Sequence, residues 1–565
     1  MKKLFTNKAI LSILVIGTLV SAFVAGLALR SASGAHAAGP KASSASNAFC
    51  SRLGKSIGGS SGAWTYCFGP QSANASHVNT SSGTSFGPNV DAANLQEDIT
   101  PNGTRAYGQS ETSIAGNATY VVEAWNDSTG FFAPCPSPMF KEELTGYGFS
   151  ANGGKSFTDE GGLPNDCTVG KYFGDPSVEI YQPGGAGHAV YFYISSLYIT
   201  NAGTSDIAMD ACTATGSGSS ATISCKGPFI IATGGPGDFL DKDFLSIDPA
   251  RGRLYASYDR FGATGLAANG QVELAVCDLS TPATPVCYPG ASTAPYLIVQ
   301  PAQVCENEGA YPAVDIKRGD VYVAWEYNWA TNFLGPAPCN TTEPLQNRVA
   351  YVPFTCLTLT PVSPCGTTPK QVSVNIVSID TAFIPGFNRT PSSAAPANDF
   401  PRIAVSDPYG TVTIVWNDTR YHPLGDILLQ SYKLVSLGPV QSNPVRINPD
   451  TGGMHLMPAL RQAQSSGLLD ISYYQRDTAN TDSTNVDAVL NLSPKTTGAG
   501  NKIRVTNVPS AWIDTSSDII PNFGDYTDNY VQALSQAPYY NDTLYVAWSD
   551  GRLGEPQPFE AHGVS

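Results

Sequence analysis

The chain has 565 residues, with 31 Lys and Arg against 46 Asp and Glu, and a formal net charge of −15. So acidic a protein lacks the basic face that phosphate contacts need, which excludes nucleic acid as a partner. With 55 Gly and 42 Pro, the composition favours short strands and tight turns over long helices.

In chain order, Lys2, Lys3 and Lys8 form a basic head, and Ala9–Leu29 an apolar stretch of about 21 residues. A small-residue site, Ala35-His36-Ala37, follows. That order is the pattern of a secretory signal, so residues 1–37 are expected to be removed and the protein to be extracellular. The stretch is long enough to cross a bilayer, so an N-terminal anchor is the alternative. No second apolar run of that length follows, and the mature chain is expected to have no membrane span. Removing Lys2, Lys3, Lys8 and Arg30 with the signal takes the net charge from −15 to −19. Residues 38–100 form a Ser/Gly-rich N-terminal segment, of which 38 to about 75 reads as a flexible lead-in.

All 12 cysteines lie between Cys50 and Cys365. None has C-x-x-C spacing and the six histidines are scattered, which argues against a metal site. An even number in an exported chain argues for disulfides. Pairing neighbours along the chain predicts Cys50–Cys67, Cys135–Cys167, Cys212–Cys225, Cys277–Cys287, Cys305–Cys339 and Cys356–Cys365. Spacing alone does not fix that connectivity.

From about residue 101 to 565 one phrase recurs seven times: a short strand, a Gly/Asp/Asn turn, and a second strand closing on a bulky residue. The second strands reach Trp125, Ile194, Tyr258, Trp325, Trp416, Tyr473 and Trp548. These lie 57 to 75 residues apart, except for 91 after Trp325. The sharpest copy is Tyr311-Pro-Ala-Val-Asp315, a turn at Arg318-Gly-Asp320, then Val321-Tyr-Val-Ala-Trp325. Third strands follow at Asp206–Asp210, Val272–Val276, Arg348–Phe354, Asp426–Gln430 and Asp487–Leu490. Four short antiparallel strands per repeat of about 65 residues predict an all-β, disulfide-stapled β-propeller of about seven four-stranded blades. Six blades are the alternative count, and a β-sandwich the alternative fold. Cys212, Cys277 and Cys356 should end third strands, with Cys225, Cys287 and Cys365 opening the fourth. Only 17 residues follow Trp548, so the missing outer strand of the last blade is expected from about Thr80 to Thr100.

Phe149-Ser-Ala-Asn-Gly-Gly-Lys-Ser-Phe157 resembles the Asp-box (BNR) hairpin of the sialidase superfamily, with Asn152 at the Asp position. There the Asp or Asn side chain closes a tight turn while the aromatic packs back on the hairpin. Trp416-Asn-Asp-Thr-Arg420 and Trp548-Ser-Asp-Gly-Arg552 resemble the endings of secreted sialidase-like repeats. The resemblance implies a propeller that acts on or binds glycans, in a family whose enzymes grip the sialic acid carboxylate with three arginines. One of those arginines usually comes from a Phe/Tyr-Arg-Ile-Pro first strand. Here the first blade reads Gln109-Ser-Glu-Thr-Ser-Ile114, and the echo Phe400-Pro-Arg402-Ile stands in the fifth.

In an antiparallel pair the start of the first strand and the end of the second share one edge. Around a ring that edge gathers Glu111, Asp127, Asp175, Asp243, Asp259, Arg260, Glu308, Glu326, Asp418, Arg420, Arg476, Asp477, Asp525, Tyr526, Asp550 and Arg552. Glycosidases use two carboxyl groups, or in sialidases a tyrosine activated by a carboxylate beside an acid. Tyr526 with Glu326 is the candidate nucleophile pair and Asp175 or Asp127 the candidate acid. Arg260, Arg420, Arg476 and Arg552 would grip a substrate carboxylate bidentately. The alternative for each Asp-x-Arg is an ion pair that closes a turn between blades. His188, His422 and His455 have no matched Ser or Cys, which argues against a nucleophilic triad. No cofactor or metal is implied. The reading is a secreted, monomeric, sialidase-like propeller that binds glycan or a cell-surface partner through its central funnel without catalysis. An exo-acting, sialidase-type glycoside hydrolase is the alternative.

Overall fold

The computed structural model describes residues 46–53, 60–68, 86–95, 98–99, 103, 105–132, 144–165, 167–184, 187–329, 344–366, 369–377, 400–476, 483–510, 515, 517–519, 523–532 and 542–564. Residues 1–37, expected to be a signal, and Asp477 lie outside them. No helix among the described residues is long and apolar enough to cross a membrane.

Seven antiparallel sheets follow one another. Their inner strands are Gln109–Gly116, Ser177–Tyr181, Phe239–Asp248, Glu306–Val314, Arg402–Ser406, Met454–Gln462 and Asp528–Val531. Each pairs with the next strand in sequence, so the repeated phrase is the inner hairpin of a blade. The count is seven. Five sheets have four strands; the second and third carry a fifth, Gly170–Tyr172 and Leu297–Gln300 respectively. The seventh completes itself with Val90–Asp91, which pairs with Gln557–Val564 and lies inside the expected window.

Each second strand lies between two neighbouring blades, so both its faces are covered. That is why these strands read as near-continuous apolar runs instead of alternating. Trp125, Trp325, Trp416 and Trp548 are all fully buried, as are Ile194, Tyr258 and Tyr473 at equivalent positions. Each buried Trp contributes about 3 kcal/mol of transfer free energy, and truncating one also leaves a cavity.

Four disulfides lie among the described residues: Cys50–Cys67, Cys212–Cys225, Cys277–Cys287 and Cys356–Cys365. Cys212 and Cys225 face each other across the outer hairpin of blade two, and Cys277 and Cys287 across that of blade three. Cys356 differs from expectation. Its strand ends at Val352, and the residue falls in a 3-10 turn, Phe354–Cys356, so this bridge staples a loop. Cys167 and Cys305 are disulfide-bonded; their expected partners Cys135 and Cys339 lie outside the described residues.

The lead-in is also less irregular than its composition suggests. Helix α1 (Ser46–Arg52) and helix α2 (Ser61–Phe68) are joined by Cys50–Cys67. Phe49, Leu53, Ala63 and Tyr66 are buried against blades two and three. A few large apolar residues at helical spacing outweigh the surrounding Ser and Gly.

Candidate functional site

The register brings the predicted edge together: Gln109 opposes Asp127, Asp241 opposes Asp259, Glu308 opposes Glu326, and Met454 opposes Arg476. Just inside that edge the inner strands bulge. Register shifts fall between Ser110 and Ser113, Asp241 and Phe244, Glu308 and Tyr311, and Leu456 and Ala459. Within or beside these bulges Glu111, Lys242 and Met457 have left-handed backbone (φ 56°, 52° and 50°), and Asp175 does so before the inner strand of blade two (φ 59°). Left-handed backbone costs a non-glycine residue about 1–3 kcal/mol and tends to persist at functional sites. Its consequence here is directional: Glu111, Asp175 and Lys242, from three consecutive blades, become neighbours.

Lys242 Nζ pairs with Asp525 Oδ2 at 2.9 Å. Glu111 accepts the backbone N–H of Asp525 (2.9 Å) on one oxygen and the side-chain amide of Asn126 (2.9 Å) on the other. Asn126 in turn accepts the backbone N–H of Asp175 at 2.6 Å. Gly524 makes this fit possible, since a Cβ there would stand 2.2 Å from Glu111 Cγ. Burial disfavours the Lys242 ammonium, but Asp525, Glu111, Asp175 and Asp241 outweigh it and hold the amine charged well above its ordinary range. Burial, with Glu111 beside it, pushes the Asp175 carboxyl well up. Asp243, buried behind the cluster and accepting a hydrogen bond from Ser195, is raised to about 8 by burial.

The N-terminal helices cover this cluster. Ser60 donates its backbone N–H to Asp241 (3.1 Å), and Gly62 donates to Asp175 Oδ1 (3.1 Å). A Cβ on Gly62 would stand 2.5 Å from the Phe173 carbonyl. Phe49 stacks on Phe239 with ring centroids 4.1 Å apart, and Tyr66 meets Phe173 edge-on at 5.5 Å.

Below the cluster the axis is filled. Tyr526 is buried, and its hydroxyl donates to the Pro176 carbonyl at 3.1 Å. Burial, then Glu111, Asp175 and Asp243, push its pKa well up. Next comes Arg402, its guanidinium over Phe244 (4.4 Å), Tyr311 (4.7 Å) and Tyr526 (5.2 Å). Its one hydrogen bond among the described residues goes to the Thr527 carbonyl, and burial lowers its pKa. At the opposite mouth Arg461 pairs with Glu179 (2.9 Å) and Asp528 (3.5 Å).

The predicted residues therefore divide. Tyr526 and Asp175 join the axial cluster. The acids bearing on Tyr526 are Glu111, Asp175 and Asp243, while Glu326 is buried opposite Glu308 in blade four. Asp127 belongs to blade one, where it accepts the Thr129 N–H (2.8 Å) and is raised by burial and by Asp98. Arg260 is held by Glu273 (2.7 and 3.1 Å) and by Asp238 (2.9 Å).

Arg420 pairs with Asp418 at 2.7 Å and donates to the Asn375 carbonyl of blade four. Arg552 pairs with Asp550 at 2.6 Å and reaches Asn507 beyond blade six. In both motifs the preceding Trp indole donates to the same carboxylate, at 3.0 Å for Trp416 and 2.7 Å for Trp548. These are clasps between blades. Arg476 is buried at the edge of blade six. Among the residues brought to the axis, Lys242 and Arg461 gave no sequence signal, whereas Arg402 carried one in Phe400-Pro-Arg402-Ile.

At the Asp-box-like turn, Asn152 Oδ1 accepts the Ser156 N–H (3.0 Å), and Ser150 Oγ accepts that of Gly154 (2.9 Å).

The sequence matches no protein-family model and no curated protein. Among solved structures the chain is similar to a Hadza microbial sialidase, at 10% identity over 69% of this chain and 65% of that one, with a TM-score of 0.36. It is similar to a protein of unknown function from Dyadobacter fermentans, at 11% identity over 84% and 98%, with a TM-score of 0.39. Trypanosoma rangeli sialidase is similar at 10% identity over 87% and 59%, with a TM-score of 0.35. The chain spans less than two thirds of the length of both sialidases. At these scores the likenesses decide neither fold nor activity; the seven blades rest on the strand pairing itself.

Proposed function

We propose that this chain is a secreted, sialidase-like propeller that binds glycan or a cell-surface partner without catalysis. One observation carries the reading: the groups that sialidase chemistry would use are already engaged within the fold. The Tyr526 hydroxyl donates to a backbone carbonyl and its pKa is pushed up, the opposite of an activated nucleophile. Arg260, Arg420 and Arg552 are each committed to a carboxylate of their own blade, which leaves them unsuited to grip a substrate. The disulfides fit an oxidising, extracellular setting.

The hydrolase alternative keeps one supporting feature. Tyr526 lies among three carboxyl groups, two of them on left-handed backbone, and would need α1 and α2 to withdraw before a sugar reached it. Incubating the purified protein with a fluorogenic α-sialoside between pH 4 and 8 separates the readings. No fluorophore release is expected, while the same protein binds immobilised glycans. Turnover that vanishes in Tyr526→Phe protein would replace the binding reading with a hydrolase.

A further inference from the structure

On the flank of the ring, away from the axial cluster, a groove of 720 Å³ runs between the outer strand of blade five and the loop that follows the third strand of blade six. Tyr421, Gln441, Asn443, Arg446, Lys495 and Thr497 are among its lining residues, and that lining contains two bases and no acid. In a chain with 46 acidic against 31 basic residues, a basic groove is out of character. Lys495 is exposed, and its ammonium has no carboxylate partner among the described residues; it lies 5.6 Å from the Tyr409 ring. Arg446 stands at the other end, half-buried, 3.8 Å from Asp426 and bonded to the Asp450 carbonyl (3.2 Å).

The aromatic in the groove is equally unusual. Tyr421 is 50% exposed, more than any other Tyr, Phe or Trp among the described residues; Tyr107 follows at 37%. Its hydroxyl donates to the Pro444 carbonyl at 3.0 Å, which pins the ring at the groove. The floor is rigid as well. Gln441 donates to the carbonyls of Pro494 (2.8 Å) and Thr496 (3.2 Å), and accepts the backbone N–H of Ser431 (3.0 Å). Both walls are therefore stitched together before any ligand arrives, which lowers the ordering cost of binding.

We infer that this groove is a binding subsite for a carboxylate-bearing polysaccharide, with one sugar ring packed on Tyr421 and its uronate groups met by Lys495 and Arg446. A fixed phenol ring offers a flat apolar face to the C–H face of a pyranose. Arg446 shares its charge with Asp426, so the Lys495 ammonium supplies most of the preference for an anionic chain over a neutral one, with Arg446 adding a guanidinium donor at the groove. The inference rests on the reading of the protein as a glycan binder, but is independent of what the axial cluster does.

Affinity electrophoresis of the native protein through gels containing polygalacturonate, with neutral dextran as control, tests it. Retardation by polygalacturonate alone is expected, weakening with added salt. The apparent Kd should rise about tenfold in Tyr421→Ala and in Lys495→Glu protein, one ring or one charge being removed from a small contact set. Both positions are exposed, so thermal unfolding should match that of the wild type. Retardation that survives both substitutions, or equal retardation by dextran, would overturn the groove and leave the glycan-binding reading standing. Failure to bind polygalacturonate while other immobilised glycans are bound would do the same. Failure with every glycan would remove both.

Discussion

At the axis one ammonium, Lys242, faces Asp525, Glu111, Asp175 and Asp241; at the clasps between blades, Arg420 and Arg552 each face one aspartate. Both regions bury charge, but the balance differs. The clasps come close to neutrality within three residues of sequence, and their guanidinium groups retain some contact with solvent. The axis is assembled from residues of blades one, two, three and seven, and sets four acidic groups around one ammonium. A charge pair local in sequence can hold neighbouring blades together; one assembled across the ring makes those blades depend on each other.

That difference sets the largest expected effect. Lys242→Met leaves the Asp525 carboxylate without its cation, and loss of one member of a buried ion pair costs about 3–5 kcal/mol. Asp418→Ala strands the Trp416 indole N–H and the Val377 backbone N–H, but Arg420 can turn to water, so about 2 kcal/mol is expected. Urea unfolding of the two variants checks the order. A clasp variant as damaging as Lys242→Met would remove the distinction.

Buried acids, at the axis and away from it, also predict how stability responds to pH. Burial raises Asp243 to about 8, and raises Asp91 and Glu560, at the seam between blades one and seven, to about 7. An unfolded Asp or Glu titrates near 4. Between about pH 4 and pH 8 the folded state therefore holds more protons than the unfolded one, and stability falls as pH rises. Contributions from these groups are complete below pH 4 and lost as pH passes through 7 to 8. Each group steepens the slope by up to about 1.4 kcal/mol per pH unit. The urea midpoint should be higher at pH 5 than at pH 8, and Asp243→Asn should flatten the dependence. A midpoint that rises with pH would show that these acids are charged in the folded protein.

Much of this fold was legible because a blade repeats its own demands. Every second strand must place a bulky residue between neighbours, so Trp125, Trp325, Trp416 and Trp548 marked the register. Neighbouring cysteines across a hairpin can bridge without moving the backbone, which is why Cys212–Cys225 and Cys277–Cys287 were readable. The axis was much less so. The repeat pattern placed Asp175 and Asp243 near one edge, but Asp175 precedes its strand and Asp243 falls inside a register shift. Nothing in the sequence announces a bulge or a left-handed Lys242, and those decide which residues reach the centre. The arginine motifs misled for a related reason: Asp-x-Arg after a tryptophan has the same spelling whether it grips a ligand or the next blade. Composition hid α1 and α2, since Phe49 and Tyr66 are few among many Ser and Gly.

The smallest expected effect separates the cover from what it covers. Gly62 lies where α2 meets the Phe173 carbonyl and Asp175, so Gly62→Ala forces α2 to lift by the width of a methyl group. Overpacking of this kind costs about 1–3 kcal/mol where the structure cannot give, but α1 and α2 form a small unit, tied to the ring through Phe49, Tyr66, the Arg52 bond to the Gly262 carbonyl and the Ser60 and Gly62 N–H groups. They can peel back as a unit held by Cys50–Cys67. The global urea midpoint is therefore expected to stay within error of the wild type, while dilute protease should cut within residues 46–68 markedly faster. A lowered midpoint with no change in protease sensitivity would mean that the cover is part of the ring's cooperative unit. The contrast between a self-contained ring and a removable cover would then fail, and the axial carboxylates would have to be counted as permanently sealed.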